Sequence, residues 1–384
     1  MHILIAPNAF KHSLSAIDAA RAIEDGLLQS KLRFSARRFP VGDGGDGTAE
    51  LLLQHACGER IWEKSIDPLG RQIQASYGWV NAEKTAIIEL AEASGLHLLR
   101  PNEYDPLHAN TRGTGRLIRA ALEKNARRII LCIGGSATID AAAGILEELG
   151  IRLLSSSGNL LEGMPANFAN LDGIDIRGMD KRIEQTEMIV LCDVENTLLG
   201  ASGTAAVFGP QKGASPAEVL QLESLLSRFS EKTLEVRGKD MRSMKGGGAA
   251  GGVAAALAAY CDATLVSGID YFLDQTGFLQ ELKKADLVIT GEGSIDAQTL
   301  DGKGPFGVAA RAKQLHLSVI GLAGRVPQGP DPELEKYFDL MLSIQHEALP
   351  MEEALPLTAS NLQRTAAELG NLLASDSGRY TRNY

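Results

Sequence analysis

Acidic and lysine side chains follow a predicted strand near residue 290. The strand prediction rests on an apolar run rich in β-branched residues, 286–290. Glycines then surround Glu292, Asp296 and Lys303, and Pro305 opens a helical pattern. Carboxylates suit Mg²⁺, and lysine together with glycine N–H groups suits phosphate. Because ligands of open α/β sheets bind beyond the carboxyl ends of the strands, this stretch predicts a nucleotide site.

A second loop of this kind lies between the predicted strand 127–133 and the predicted helix 139–149. It consists of Gly134, Gly135, Ser136, Ala137 and Thr138. The free N–H groups at a helix N-terminus attract anions, so the loop predicts contacts with phosphate. The alternative is a helix cap without any ligand.

Single charged residues in other loops are further candidates for chemistry. Asp193 ends the apolar run 189–192. A carboxylate in that position either binds Mg²⁺, takes a proton from a substrate hydroxyl, or simply starts a turn. Lys212, in the segment FGPQKGA, and Lys11, in the first loop, either neutralise a phosphate or are solvated loop lysines.

Two glycine patterns match the spacing G-x-G-x-x-G, at residues 42–47 and 246–251. The first lies between a predicted strand and a predicted helix, as in dinucleotide-binding proteins. Its Asp43 and Asp46 would however oppose a diphosphate unless a cation lay between them. The second follows no predicted strand, and close packing of a helix is its simpler interpretation. Taken together, the charged glycine loops favour phosphoryl transfer over hydride transfer, because the former needs charge neutralisation and a carboxylate near the attacking hydroxyl.

The elements that position these loops indicate an α/β protein. Strand and helix patterns alternate at both ends of the chain, which predicts a parallel, Rossmann-like sheet. Residues 59–99 instead alternate between apolar and polar residues, as in an antiparallel meander. We therefore predict a discontinuous Rossmann-like parallel-sheet domain of residues 1–58 and 270–384, an inserted α/β domain of residues 59–269, and an active site in the cleft between them.

The composition of the chain argues against nucleic acid and membranes as binding partners. The net charge of −10 argues against a nucleic-acid-binding surface. No apolar run is long enough to span a bilayer, and the start MHILIAPNAF is typical of a first strand rather than a signal peptide. These features predict a cytoplasmic protein without a membrane partner. A homodimer is one of the oligomeric states that the sequence leaves open.

At these loops the chain resembles the bacterial glycerate kinase family, type I. The matching stretches run almost from end to end: APNAFKHSLSA (6–16), GDGGDGT (42–48), IELAEASGL (88–96), GTG (113–115), GGSATIDAAAG (134–144), CDVEN (192–196), FGPQKGAS (208–215), GGGAAGG (246–252) and TGEGSIDAQTLDGKGPFGVA (290–309). The resemblance implies phosphorylation of D-glycerate by ATP with Mg²⁺, giving 2-phosphoglycerate. Whether the 2-hydroxyl or the 3-hydroxyl accepts the phosphate is not decided by these residues.

With that activity, Asp193 is the first candidate for the base or a Mg²⁺-linked carboxylate, and Asp43 and Asp296 are its rivals. Asp296 is also a candidate metal ligand. Lys11, Lys212 and Lys303 would neutralise phosphate or the substrate carboxylate, and Glu292 would belong to the nucleotide site. The Gly134–Thr138 loop would add backbone N–H contacts.

The sequence departs from the family pattern in places. Asn8 and His12 lie where the family usually has Asp and Gly, and Ser294 lies where Arg is common. These departures put the substrate preference in question. The alternatives are a kinase for a related small hydroxy acid, an NAD-dependent dehydrogenase that uses residues 42–47, and a non-catalytic ligand-binding protein on the same scaffold.

Overall fold

The computed structural model describes residues 1–377. Its strands are β1 His2–Ile5, β2 Ser35–Arg38, β3 Glu59–Ile66, β4 Gln72–Val80, β5 Thr85–Glu89, β6 Arg128–Cys132, β7 Arg152–Ser155, β8 Leu160–Leu161, β9 Leu171–Asp175, β10 Glu187–Leu191, β11 Thr264–Val266, β12 Leu287–Ser294, β13 Ser318–Arg325 and β14 Leu340–Ser343. Its α-helices are α1 Ala16–Leu28, α2 Thr48–His55, α3 Ala91–Ser94, α4 Arg112–Glu123, α5 Ala143–Glu148, α6 Thr204–Phe208, α7 Pro216–Arg237, α8 Ala249–Cys261, α9 Gly268–Gln275, α10 Phe278–Leu282, α11 Gly304–Gln314, α12 Met351–Ala354 and α13 Thr358–Ser377.

The chain divides into two compact units. Unit 1 combines Met1–Asp43 with the chain from Ile269 onward, and unit 2 is Gly44–Gly268. The predicted border after residue 58 differs from this division, because residues 44–58 belong to unit 2. The reason is that α2 packs against β4 and β5 of that unit. A Cβ on Gly78 of β4, for example, would lie 2.7 Å from the side chain of Leu53 in α2.

Unit 1 is built on a sheet with the strand order β14-β13-β12-β1-β2. Every pairing in it is parallel, with Ile3 opposite Leu287 and Ile289 opposite Ile320. The central strands are apolar on both faces, as expected for a parallel sheet that is covered on both sides. Helices α1 and α13 pack together over one face, where Ile23 and Leu362 join the core. The predicted parallel α/β sheet is confirmed.

Unit 2 contains a mixed sheet with the order β11-β10-β6-β5-β4-β3. The pairings β3–β4 and β4–β5 are antiparallel, and the others are parallel. The predicted meander therefore extends from Glu59 to Glu89, after which the chain turns into α3 and short 3₁₀ segments. A small antiparallel sheet, β8-β7-β9, completes the unit. No helix within residues 1–377 has the length and apolar character needed to cross a bilayer.

Candidate active site

The carboxyl edge of the unit 1 sheet gathers charged side chains from several loops. Asn8 follows β1, and its Nδ2 donates a hydrogen bond to Asp43 Oδ2, at 2.7 Å, from the loop after β2. The Asn8 N–H donates to the carbonyl of Gly291 in β12, at 2.8 Å. The parallel register therefore brings loops that are far apart in sequence to one edge. We call this group the edge cluster; it comprises Asn8, Lys11, Asp43, Glu292, Asp296 and Lys303.

Glu292 is the most enclosed acid of the edge cluster. It is 7% exposed, and its Oε1 accepts a hydrogen bond of 3.3 Å from Thr299 Oγ1. Burial raises the pKa of Glu292 to about 7; Lys303 and Lys11 act in the opposite direction, and the charge of Asp43 adds to the rise. A carboxyl group with this pKa is partly protonated at neutral pH, so it can both accept and release a proton.

The predicted helix after Lys303 is present as α11, and Lys303 is its N-cap residue. A Cβ on Gly304 would lie 2.8 Å from Asn8 Nδ2, so only glycine allows this close approach of the helix start to Asn8. Pro305 occupies the first turn, as predicted. The N-terminus of α11 is thereby held beside the edge cluster, next to the first loop of the chain.

In unit 2, the loop Gly134–Thr138 does not open a helix, and this part of the prediction is wrong. Helix α5 begins only at Ala143, because Ala141 and Ala142 adopt positive φ angles of 46° and 58°. The Gly134 N–H donates to the carbonyl of Gly44, at 3.1 Å. The expected array of helix N–H groups around the loop is therefore absent from these residues.

The loop instead surrounds the ammonium group of Lys212. Its Nζ donates to Ser136 Oγ at 2.7 Å and to the carbonyl oxygen of Thr138 at 2.8 Å. Lys212 is 3% exposed, and burial lowers its pKa to about 7, while the charge of Asp140 acts in the opposite direction. Lys212 is thus a buried amine that holds this loop against the segment FGPQKGA, rather than a solvated loop lysine.

Asp140 is a buried acid near Lys212 that the sequence analysis did not single out. It is fully buried, and its Oδ2 accepts hydrogen bonds from the N–H and Oγ1 of Thr111, at 2.8 and 2.7 Å, and from the Gly144 N–H at 3.1 Å. Burial raises its pKa. Asp140 Oδ1 and Thr138 Oγ1 have no hydrogen-bond partner among residues 1–377. No glycine or strand end marks Asp140 in the sequence, so no local signal pointed to it.

Asp193 lies two residues beyond β10, at the carboxyl edge of the unit 2 sheet. Its Oδ1 accepts a hydrogen bond from the Gly268 N–H, at 2.9 Å, and the residue is half-buried. A Cβ on Gly44 would lie 3.4 Å from Asp193 Oδ2, so the glycine leaves room beside this carboxylate. The predicted position at a strand end is confirmed, and the hydrogen bond fixes the orientation of the side chain.

The glycine pattern at residues 42–47 is not shaped for a diphosphate. The Gly47 N–H, at the start of α2, donates to Glu89 Oε1 at 2.9 Å. Burial raises the pKa of Glu89 to about 7, against the effect of its hydrogen bond from Gly47. A protein carboxyl group thus occupies the place that a dinucleotide phosphate takes in a dehydrogenase.

The glycines at residues 246–251 allow close packing of helix α8, which was the simpler interpretation of this pattern. A Cβ on Gly248 would lie 2.2 Å from the carbonyl oxygen of Thr197, and one on Gly251 would lie 2.0 Å from that of Thr138. Gly251 also has a φ of +72°. These glycines bring the start of α8 into backbone contact with the loop that holds Lys212.

Residues 3–374 match the model of the glycerate kinase family. The chain belongs to this family. It is 42% identical to a glycerate kinase of Bacillus subtilis (strain 168), over 96% of this chain and 97% of that protein. It is 39% identical to a glycerate 2-kinase of Escherichia coli (strain K12), over 97% and 98% of the two chains.

A solved structure supports the same family assignment. The crystal structure of a candidate glycerate kinase 2 from Salmonella typhimurium LT2 matches this chain with a TM-score of 0.81 and 39% sequence identity. The match covers 98% of this chain and 99% of the Salmonella chain. The α/β fold of that structure therefore accounts for nearly all of this chain.

Ser294, at a position where the family commonly has Arg, contacts an acid of the edge cluster. Its Oγ donates to Asp296 Oδ2 at 2.8 Å. The guanidinium of Arg325, on the neighbouring strand β13, lies 3.6 Å from the same oxygen. Arg325 was not singled out from the sequence, because its place depends on the register between β12 and β13. Asn8, another of the departures from the expected family pattern, contributes a neutral donor to Asp43.

The acidic residues that the structure describes do not form a cluster that could enclose a metal ion. Within residues 1–377, no three His, Cys, Asp or Glu side chains come together in a way that could hold a metal ion. Mg²⁺ in nucleotide enzymes usually keeps several waters and takes one or two carboxylates together with substrate phosphates. A single anchored carboxylate such as Asp193 fits that mode, whereas an all-protein metal cage does not.

Proposed function

We propose that this chain transfers the terminal phosphate of ATP to D-glycerate at the 2-hydroxyl, giving 2-phosphoglycerate and ADP. The observation that carries the proposal is the near-complete match to relatives named glycerate kinase and glycerate 2-kinase. Charged loops at the carboxyl ends of strands carry the groups that phosphoryl transfer needs, namely cations, carboxylates and glycine backbone.

In this proposal Asp193 is the base that accepts the proton of the substrate hydroxyl. Its hydrogen bond from the Gly268 N–H holds one carboxylate oxygen in a fixed direction. Proton transfer by such a positioned group is worth about 10²–10⁴-fold in rate. Asp43 and Asp296 remain rival candidates, each with a carboxylate oxygen engaged by a neighbour.

The cations divide into two kinds. Lys11 and Lys303 belong to the edge cluster and would neutralise a phosphate or the substrate carboxylate. Lys212 is enclosed, so we assign it to holding Ser136 and Thr138 in place. Gly134 and Gly135 remain candidates for backbone contacts with phosphate. Mg²⁺, when bound, would neutralise phosphate charge, with Asp193 or Asp296 as its protein ligand.

A coupled assay tests the proposal. ADP release is followed with D-glycerate, L-glycerate, glycolate and lactate as acceptors. The product is then offered to enolase without phosphoglycerate mutase, because enolase dehydrates 2-phosphoglycerate but not 3-phosphoglycerate. Absence of ADP release with D-glycerate would refute the activity, and a product that requires the mutase would move the transfer to the 3-hydroxyl.

The role of Asp193 is tested with Asp193→Asn. We expect kcat to fall by about 10²-fold or more with an unchanged circular dichroism spectrum. Asp240→Asn is the matched control, since Asp240 is an acid of the same unit that pairs with Arg242 away from the strand ends. Near-normal turnover of Asp193→Asn would pass the role of base to Asp43 or Asp296.

Two alternatives have specific readouts. A dehydrogenase would bind NADH, which fluorescence titration detects; the hydrogen bond between Gly47 and Glu89 argues against it. A non-catalytic binding protein would bind D-glycerate without ADP release. The cytoplasmic location and the homodimer stay predictions from the sequence.

A further inference from the structure

Arg325 lies at the carboxyl end of β13, on the same edge of the unit 1 sheet as the edge cluster. It is directly opposite Ser294 in the parallel register of β12 and β13. The carbonyl oxygen of Arg325 accepts a hydrogen bond of 2.9 Å from the Ile295 N–H. The backbone of Arg325 is therefore fastened to the loop that carries Asp296.

The guanidinium group of Arg325 lies near the carboxylate of Asp296 without a hydrogen bond to it. Its side chain is 79% exposed, and the nearest acid is Asp296, with Nη2 at 3.6 Å from Oδ2. This distance exceeds that of a hydrogen bond. Among the side chains that the structure describes, none accepts a hydrogen bond from the guanidinium. The planar fork of N–H donors thus stays available beside a carboxylate that keeps it near the sheet edge.

The charges of the edge indicate which anion fits there. Among the side chains that the structure describes there, the acids are Asp43, Glu292 and Asp296, and the cations are Lys11, Lys303 and Arg325. Three charges of each sign balance when Glu292 is ionised, and one positive charge is left over when it is protonated. This balance suits a small monoanion better than a triphosphate, which carries several negative charges.

We propose that Arg325 binds the carboxylate of the hydroxy-acid substrate and so determines the preference for acids over neutral polyols. The inference rests on the proposed function, whose acceptor is a small hydroxy acid. A guanidinium can bind a carboxylate through two parallel N–H···O bonds, which fixes the orientation of the acid as well as its charge. The interaction with Asp296 orients Arg325 before the substrate arrives.

The test compares Arg325→Gln and Arg325→Lys with the unaltered enzyme. For Arg325→Gln we expect KM for D-glycerate to rise about tenfold or more, because a charge-assisted hydrogen bond is lost, while KM for ATP stays within about twofold. Arg325→Lys should recover part of the loss, since it restores the charge without the fork. The preference for D-glycerate over glyceramide, which lacks the carboxylate charge, should fall in Arg325→Gln.

Arg364→Gln is the matched control. Arg364 is an exposed arginine of the same unit that pairs with Glu368 along α13. It should leave both KM values unchanged. An unchanged KM for D-glycerate in Arg325→Gln would overturn the proposal, as would a rise in KM for ATP alone.

A binding measurement separates this inference from the proposed function. D-glycerate is titrated calorimetrically into each variant without ATP. Weaker binding by Arg325→Gln than by the unaltered chain supports the role of Arg325 even when no turnover occurs. Equal binding by both refutes that role while leaving the activity intact, and absence of binding to the unaltered chain refutes both.

Discussion

Replacing Lys212 with Met should change how the stability of unit 2 depends on pH. The ammonium group is enclosed and hydrogen-bonded to two neutral oxygens, on Ser136 and Thr138. Burial therefore lowers the pKa of Lys212 from 10.5 to about 7 in the folded chain. Methionine keeps an unbranched apolar chain of similar reach but carries no proton that titrates.

The magnitude follows from the linkage between protonation and folding. Because the pKa falls from 10.5 to about 7, burial of the protonated Lys212 lowers the free energy of unfolding by about 5 kcal/mol below pH 7. Between these pH values the unfolded chain holds the proton and the folded chain does not, so the wild-type free energy of unfolding rises with pH. Relative to Lys212→Met, it should rise by about 1.4 kcal/mol per pH unit above pH 7. Below pH 7 the difference should be constant.

Urea unfolding followed by tryptophan fluorescence measures this difference. The only two tryptophans of the sequence, Trp62 and Trp79, both lie in unit 2, so the signal reports on the unit that contains Lys212. Lys245→Met is the control, because Lys245 is 75% exposed in the same unit. Its difference from wild type should not change between pH 7 and 9.5. If the Lys212→Met difference were equally constant, Lys212 would titrate as an exposed lysine and the buried contacts would be refuted.

Two further predictions concern other enclosed positions. Glu292→Gln should be more stable to heat, relative to the wild type, at pH 8 than at pH 5. The folded pKa of about 7 lies above the usual 4.5, so the wild type loses stability as pH rises through it, whereas the amide does not titrate. Equal pH profiles of the two melting temperatures would contradict this. Gly251→Ala should lower the free energy of unfolding of unit 2 by about 3 kcal/mol or more, since its Cβ would lie 2.0 Å from the Thr138 carbonyl oxygen. Gly238→Ala, where φ is also positive but the space is open, should cost only about 1–2 kcal/mol, and equal losses in urea unfolding would show that the contact with Thr138 is unimportant.

The parallel architecture was predictable because its signals are local. β1 and β12 are short apolar runs followed by polar loops, and Ser15 caps α1 through a hydrogen bond from the Asp18 N–H. Strand ends place Asp193 and Glu292 at sheet edges, so their position also followed from the pattern. The structural position of such residues is determined by the few residues next to them in the sequence.

The helix predicted from residue 139 failed because tertiary packing overrides propensity there. Residues 139–149 are apolar and rich in alanine, which favours a helix. The Ala141 N–H, however, donates to the carbonyl of Gly251 at 2.9 Å, and Ala141 and Ala142 turn into the left-handed region. Gly251 lies more than a hundred residues from Ala141 in the chain, so no local pattern predicts this hydrogen bond.

The burial of Lys212 and the strand register of Arg325 could not be predicted from the sequence either. A lysine between glycines is usually solvated, and only the fold shows that Lys212 is covered by a loop that lies far from it in the chain. Arg325 acquires its place from being opposite Ser294 in a neighbouring strand. Asp140 depends on Thr111 for its hydrogen bonds. Each of these features depends on a contact with a residue that is distant in the chain, and a single sequence does not show which distant residues are in contact.

The discontinuity of unit 1 has a consequence for the order in which a ribosome can complete the protein. β1 lies between β2 and β12, so its second edge stays unpaired until residues 287–289 emerge. Unit 2 is continuous and is fully synthesised before that point. At roughly 5–20 residues per second, the roughly 240 residues between Asp43 and β12 take roughly 12–50 s to translate. During that interval the edge of β1 that pairs with β12 has no partner strand, so the unit 1 sheet is completed only late in synthesis.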